Sequence, residues 1–225
     1  GGFDYVNLHW FFIFQRNWPA IVEATQRDMG VFIISPSDKG GLLYKPTEIF
    51  KEACAPLHPM EFNDLFCLRN REIHTISVGA SKPTDFDLHA RIVQSLDNGQ
   101  NLSTAAEERL LRVFKRRTGY PHPEALTEML PQFQDTPRGL NLRVIYWLFL
   151  LYKGFGMSEY VKMRLNLMGE GGHWFPGSKV TEIETLNDRE LLDVLGEVSD
   201  SQKVVNDLRE VVEKHKGEQV KPKST

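Results

Sequence analysis

The 225 residues are 41% apolar and 25% charged, with 27 Lys and Arg against 30 Asp and Glu for a formal charge of −3. This fits a globular chain of one or two domains with a packed core and excludes disorder throughout. Near-balanced charge gives no electrostatic ground for nucleic acid or an anionic membrane as partner, and the longest apolar run, residues 144–152, is far shorter than the ~20 residues that span a bilayer.

No charged-then-apolar signal stands at the start, so a cytoplasmic location is expected. The sequence opens Gly1-Gly2-Phe3 without an initiator Met, which reads as a fragment or a processed chain. Cys54 and Cys67, thirteen residues apart, fit neither a disulfide framework nor a metal knuckle and read as buried free thiols.

In chain order, three apolar strands running into polar loops come first. They are Phe3-Asp4-Tyr5-Val6-Asn7-Leu8-His9-Trp10, Val31-Phe32-Ile33-Ile34-Ser35-Pro36 and Ile73-His74-Thr75-Ile76-Ser77-Val78-Gly79-Ala80-Ser81. Their centres Val6, Ile33 and Ile76 are 27 and 43 residues apart, near the roughly 31 residues per βα unit of a barrel of about 250 residues. Asn17 and Pro19 predict a helix ending before Gly30. Turn formers from Ser35 to Gly41 then lead to helices over 47–55 and 59–68.

Helical periodicity takes over from Thr84, with Phe86, Ala90, Ile92, Val93 and Leu96, and resumes at Leu110 after a break at Asn98-Gly99-Gln100-Asn101. A Pro-rich bridge follows, 120–139. Apolar helices are predicted over 140–152 and 157–167, then a Gly-rich loop from Gly169 to Gly177 containing His173-Trp174-Phe175. A last amphipathic helix carries Val204, Val205, Leu208, Val211 and Val212 on one face. Residues 216–225 read as a polar tail. Lys115-Arg116-Arg117 closes a helix, where cations offset unsatisfied carbonyls. The histidines show no short-range metal-ligand spacing.

Four segments together carry a resemblance. Phe3-Asp4-Tyr5-Val6-Asn7-Leu8-His9-Trp10, the run from Gly30 through Ser35-Pro36-Ser37-Asp38-Lys39-Gly40-Gly41, Val78-Gly79-Ala80-Ser81 and Gly171-Gly172-His173-Trp174-Phe175-Pro176-Gly177 resemble the C-terminal half of bacterial aldo/keto reductases. The branch in question appends a ferredoxin-like helical region. The resemblance implies an α/β fold, three βα units forming the C-terminal part of a (β/α)8 TIM barrel over residues 1–98. It further implies an all-helical extension over 99–215 and a disordered tail over 216–225.

The resemblance also implies NADP(H) as cofactor and a small carbonyl compound as substrate. Asn7 matches the residue that pairs with the nicotinamide carboxamide, since an amide offers both donor and acceptor. Ser35, Ser37, Lys39 and Gly40 lie in the loop matched to the pyrophosphate cradle. Gly79, Ser81 and Lys82 match the loop facing the adenosine 2′-phosphate, and His89 the position approaching adenine. Family members often stack a Tyr on the nicotinamide where Ile34 stands here, so the ring would rest on Ile34 or on the aromatic face of Trp10.

The cluster cysteines of the ferredoxin-like relatives have no counterpart, because residues 135–139 read Asp-Thr-Pro-Arg-Gly and a four-iron cluster needs four thiolates. The family's proton-donating Asp, Tyr, Lys and His match nothing here, so no catalytic residue is assigned and the first half of the barrel is the expected partner. The competing reading is a non-catalytic helical interaction protein that retains an eroded nucleotide site.

Overall fold

A computed structural model describes residues 2–80, 82–170 and 175–217, with the side chains of 95–101 left aside. The chain divides into two compact units, residues 1–124 and 125–225.

The first unit opens with β1 (Tyr5–Leu8), then α1 (Trp18–Gln26), β2 (Gly30–Ile34), α2 (Glu48–Cys54), α3 (Pro59–Leu68), β3 (Thr75–Ser77) and the long α4 (Thr84–Thr118). The strands form one parallel sheet in the order β1-β2-β3, with Asn7 beside Phe32 and Ile34 beside Ser77. Thr47 caps α2 by accepting from the Phe50 amide, and the His58 and Glu61 side chains form a capping box on α3. Asn17 behaves differently from a cap: its amide donates to the His9 carbonyl at 3.0 Å and α1 begins without a side-chain cap.

The expected fold class, three βα units of a TIM barrel, is not what the structure shows. Helix accounts for 57% of the chain and strand for 7%, with a single three-stranded sheet, so the fold is mainly helical. Two physical reasons stand behind this. Barrel strands are buried on both faces, whereas β2 buries Val31 and Ile33 on one face and leaves Phe32 37% exposed on the other, beside Tyr5 at 58%. Barrel helices also cover their own strands, whereas α2 and α3 pack chiefly on α4. The 43-residue interval therefore holds two helices of a helical layer and not one crossover.

The division expected at 98/99 falls inside α4, which runs unbroken through Asn98-Gly99. A glycine inside a helix costs about 1 kcal/mol against Ala. The packed turns on either side, with Ile92, Ala106, Leu110 and Phe114 buried, outweigh it. Helix α4 stops at Gly119, whose φ of 82° suits the left-handed cap.

The core of this unit is aromatic. Trp10 stacks on Phe66 at 4.9 Å, and Phe12 meets Phe50, Phe62 and Phe66 edge-on. Helix α3 is buried from Pro59 to Cys67, so its polar residues need partners inside the protein. Asn63 finds two: its Oδ1 accepts from the Phe12 amide at 3.2 Å and its Nδ2 donates to the Pro36 carbonyl at 3.1 Å.

The second unit is built on α5 (Leu142–Phe155), buried on almost every side, with α6 (Ser158–Leu167), α7 (Asp188–Leu195) and α8 (Ser201–His215). Asn141 caps α5 by accepting from the Val144 amide, and Trp147 sits edge-on to Tyr160 and Phe175. Helix α8 buries Val204, Val205, Leu208, Val211 and Val212, the face expected from its spacing. Its Asp207 accepts from Tyr146 at 3.2 Å and from Lys203 at 2.5 Å. His173 and Trp174 lie outside the described residues, as does the tail from 218 onward.

Gly40 shows how tightly the loop after β2 is packed: a Cβ there would stand 2.0 Å from the Pro36 carbonyl oxygen and 3.1 Å from Asn63 Nδ2. Gly40→Ala is expected to destabilise the chain by about 1–3 kcal/mol. Urea unfolding of the variant beside the parent checks this, and an unchanged midpoint contradicts it.

Candidate functional site

The loops leaving β2 and β3 converge at the C-terminal ends of the parallel strands, the edge where open sheets of this kind take ligands. A pocket of about 320 Å³ opens there, lined by Ser35, Ser37, Asp38, Tyr44, Ser77, Val78, Gly79 and Ala80. Ser35 and Leu42 hold left-handed backbone, φ 56° and 54°, although neither is glycine. Each such residue costs on the order of 1–3 kcal/mol, and strain of this kind gathers at functional loops.

The loop satisfies much of its own backbone. Lys39 N–H donates to the Ser35 carbonyl, Gly41 and Leu42 N–H to Asp38, and Leu43 N–H to Ser37. Those amides are spent within the turn, so the expected backbone cradle for a pyrophosphate, residues 35–41, lacks two of its donors, Lys39 and Gly41. Ser37 is 3% exposed and its hydroxyl has no hydrogen-bond partner among the described residues. Tyr44 donates weakly to Asp38 at 3.4 Å. A wall of hydroxyls and one carboxylate matches a sugar diol better than a phosphate, because a carboxylate only accepts and repels an anion.

Of the residues expected at a cofactor site, Ser35, Ser37 and Gly79 share this pocket. Ile34 ends β2 immediately before it. Lys39 and Gly40 belong to the same loop but do not line it. Asn7 lies exposed on β1. Trp10 is 4% exposed and stacked within the core, so its ring offers no face to a ligand. Lys82 is exposed ahead of α4, where its amide donates to Asp85 at 3.2 Å. Ser81 lies outside the described residues.

His89 belongs to a neighbouring cavity of about 300 Å³, lined by Asp64, Leu68, His74, Thr75, Ile76, Val78, His89, Ile92 and Val93. Val78 lines both cavities. His89 Nδ1 is hydrogen-bonded to Asp64 Oδ2, with the two residues 8% and 1% exposed. His89 Nε2 and Asp64 Oδ1 have no partner among the described residues. The hydrogen bond to Asp64 holds the imidazole above its usual range against the opposing effect of burial, with Asp85 and Glu61 adding to it. Burial pushes the Asp64 carboxyl upward although His89 pulls it down.

Asp38, Tyr44, Ser77, Asp64 and His74 are site residues that sequence reasoning missed. A single signal existed for Asp64, an acid set among Phe62, Leu65, Phe66 and Cys67, with the polar Glu61 and Asn63 on the same buried helix. Both thiols are chemically quiet: burial raises Cys54 to about 12, and Cys67, also pushed well up by burial, donates to the Trp10 carbonyl at 3.4 Å. Among the described residues no cluster of three His, Cys, Asp or Glu could hold a metal ion, and no helix is long and apolar enough to cross a membrane.

Comparison with models of known families, with curated proteins and with solved structures finds no match to the chain.

Protonation of the buried pair sets a pH dependence. His89 is raised in the folded state, so its contribution is full below the ordinary imidazole value of about 6.5 and is lost as pH rises through the raised value. The upward displacement of Asp64 acts with the same sign at lower pH. Urea unfolding across a pH series is expected to show stability falling above about pH 6.5, and Asp64→Asn should flatten that fall. A parent chain whose stability rises over that interval contradicts the assignment.

Proposed function

We propose that the pocket beyond β2 and β3 receives a ribose of a nicotinamide dinucleotide, NADP(H) by the aldo/keto reductase resemblance, and that the chain serves reduction of a small carbonyl compound. The observation that carries this reading is the convergence of Ser35, Ser37, Ser77, Tyr44 and the Asp38 carboxylate on one pocket at the strand ends. A carboxylate accepting from ribose hydroxyls is a common way to hold a dinucleotide. The strained backbone at Ser35 and Leu42 supports a loop kept for binding.

In this reading Lys82, exposed at the start of α4, meets the 2′-phosphate, and His89 approaches the base. No group here is assigned as the proton donor that carbonyl reduction needs. We propose that a separate segment, matching the family's first half, supplies it.

One specific feature favours a second reading, the helical interaction protein. Phe86 and Val93 on α4 are 55% and 70% exposed, and exposed apolar groups on a helix invite a partner.

Titration of nucleotide fluorescence tests the first reading. NADPH is expected to bind one per chain. Asp38→Ala should weaken NADPH and NADH alike, by about tenfold, the scale of one lost charge-assisted hydrogen bond. Lys82→Ala should weaken NADPH by about 1–3 kcal/mol and leave NADH nearly unchanged. Absence of NADPH binding, or binding indifferent to Asp38, contradicts the reading.

A further inference from the structure

A second concave surface of the first unit has a quite different chemistry. It is a groove of about 700 Å³ between α2 and the C-terminal half of α4, lined by Ile49, Glu52, Ala53, Val113 and the five cations Arg109, Arg112, Lys115, Arg116 and Arg117. One carboxylate thus faces five positive charges in a chain whose net charge is negative.

Helix-end electrostatics explain only part of this. Lys115, Arg116 and Arg117 stand in the last turn of α4, where cations complement unsatisfied carbonyls. Arg109 and Arg112 lie further back, and the effect of a helix end falls off within one turn. Arg109, Arg112 and Arg116 are spaced three and four residues apart, which sets them on one face of the helix. They form a row of guanidinium groups along the groove at intervals of about one helical turn, ~5 Å.

One member of the row is held in place. Arg109 Nε donates to the Ala53 carbonyl at 2.7 Å and one Nη to the Ala55 carbonyl at 2.8 Å, both at the end of α2. Those bonds orient the planar group and leave its other Nη for a ligand. Arg112 makes only a long 3.7 Å exposed contact with Glu108, and neither Lys115 nor Arg116 has an ion-pair partner among the described residues. Ile49, Ala53 and Val113 give the groove an apolar floor.

We propose that this groove binds a linear triphosphate group, with Arg109, Arg112 and Arg116 as its principal contacts. Guanidinium forks pair two at a time with the oxygens of carboxylate and phosphate alike, and a row of three along the groove matches an anion that carries several phosphate groups in line rather than a single carboxylate. The volume lies within the roughly 300–1,000 Å³ of small-molecule sites. The slightly negative whole chain offers no extended positive field for a nucleic-acid backbone. The triphosphate arises equally in inorganic tripolyphosphate and in a nucleoside triphosphate. This site is separate from the pocket beyond β2 and β3 and does not depend on its occupant.

Isothermal titration of the full chain with sodium tripolyphosphate tests the proposal, with ATP as a second arm. One tripolyphosphate per chain is expected, with affinity falling steeply as salt is raised. Arg112→Glu with Arg116→Glu should weaken binding by at least about tenfold, the scale of lost charge-assisted hydrogen bonds. Arg27→Glu at the C-cap of α1, outside the groove, changes charge as each single groove substitution does and should leave binding nearly unchanged. ATP binding with similar affinity assigns recognition to the triphosphate alone, and much tighter ATP binding adds the nucleoside to it. All these residues except Arg109 are exposed, and a melting curve on each variant confirms folding. No saturable binding of either ligand, or equal losses from the groove and Arg27 variants, overturns the proposal.

Discussion

The first unit depends on a single buried amide. Asn63, 1% exposed on α3, receives the Phe12 N–H and gives its own N–H to the Pro36 carbonyl. Those two backbone groups belong to loops that no sheet ladder serves, and each would cost about 1–3 kcal/mol if left buried and unpaired. One side chain with a donor and an acceptor satisfies both. It thereby ties the loop after β1 to the loop after β2. Gly40 is the counterpart of that strut, since only a residue without Cβ lets the loop close so near Pro36. The pocket walls at Ser35, Ser37 and Asp38 are fixed because the turn between them is fixed.

The strands were legible because short apolar runs between turn formers have few other solutions, and Thr75–Ser77 is what remains of a nine-residue expectation. What the runs do not encode is how many neighbours a strand has. Tyr5 and Phe32 are as apolar as barrel residues, yet they lie on an exposed face with their rings 5.2 Å apart. The apolar runs, their spacing and the family resemblance therefore pointed to a barrel, while the packing of α2 and α3 on α4 makes the fold mainly helical. The helical readings fared better where periodicity ran long, as at α8. They failed at Asn98-Gly99, where local propensity forecast a break and burial on both flanks overrode it.

The site was less legible than the fold, for a related reason. Ser35, Ser37 and Gly79 stand in turn-rich loops, whose composition already suggests a surface. The Asp64–His89 pair joins residues 25 apart on two helices, and nothing in either local sequence announces the other. Trp10 illustrates the opposite error. A strand-end aromatic looks available to a ring-shaped ligand until Phe66 is found stacked upon it. The resulting division of labour is chemical: hydroxyls and a carboxylate at the strand ends, a buried imidazole–carboxylate pair behind Val78, and guanidinium groups on the C-terminal half of α4.

Occupation of the strand-end pocket by a dinucleotide, as proposed, is tested most directly by amide hydrogen exchange of the full chain with and without saturating NADPH. Exchange in the segments 35–44 and 77–80 is predicted to slow on binding, while α8 in the other unit stays unchanged. Protection confined to other segments, or no change at 35–44, would contradict the account.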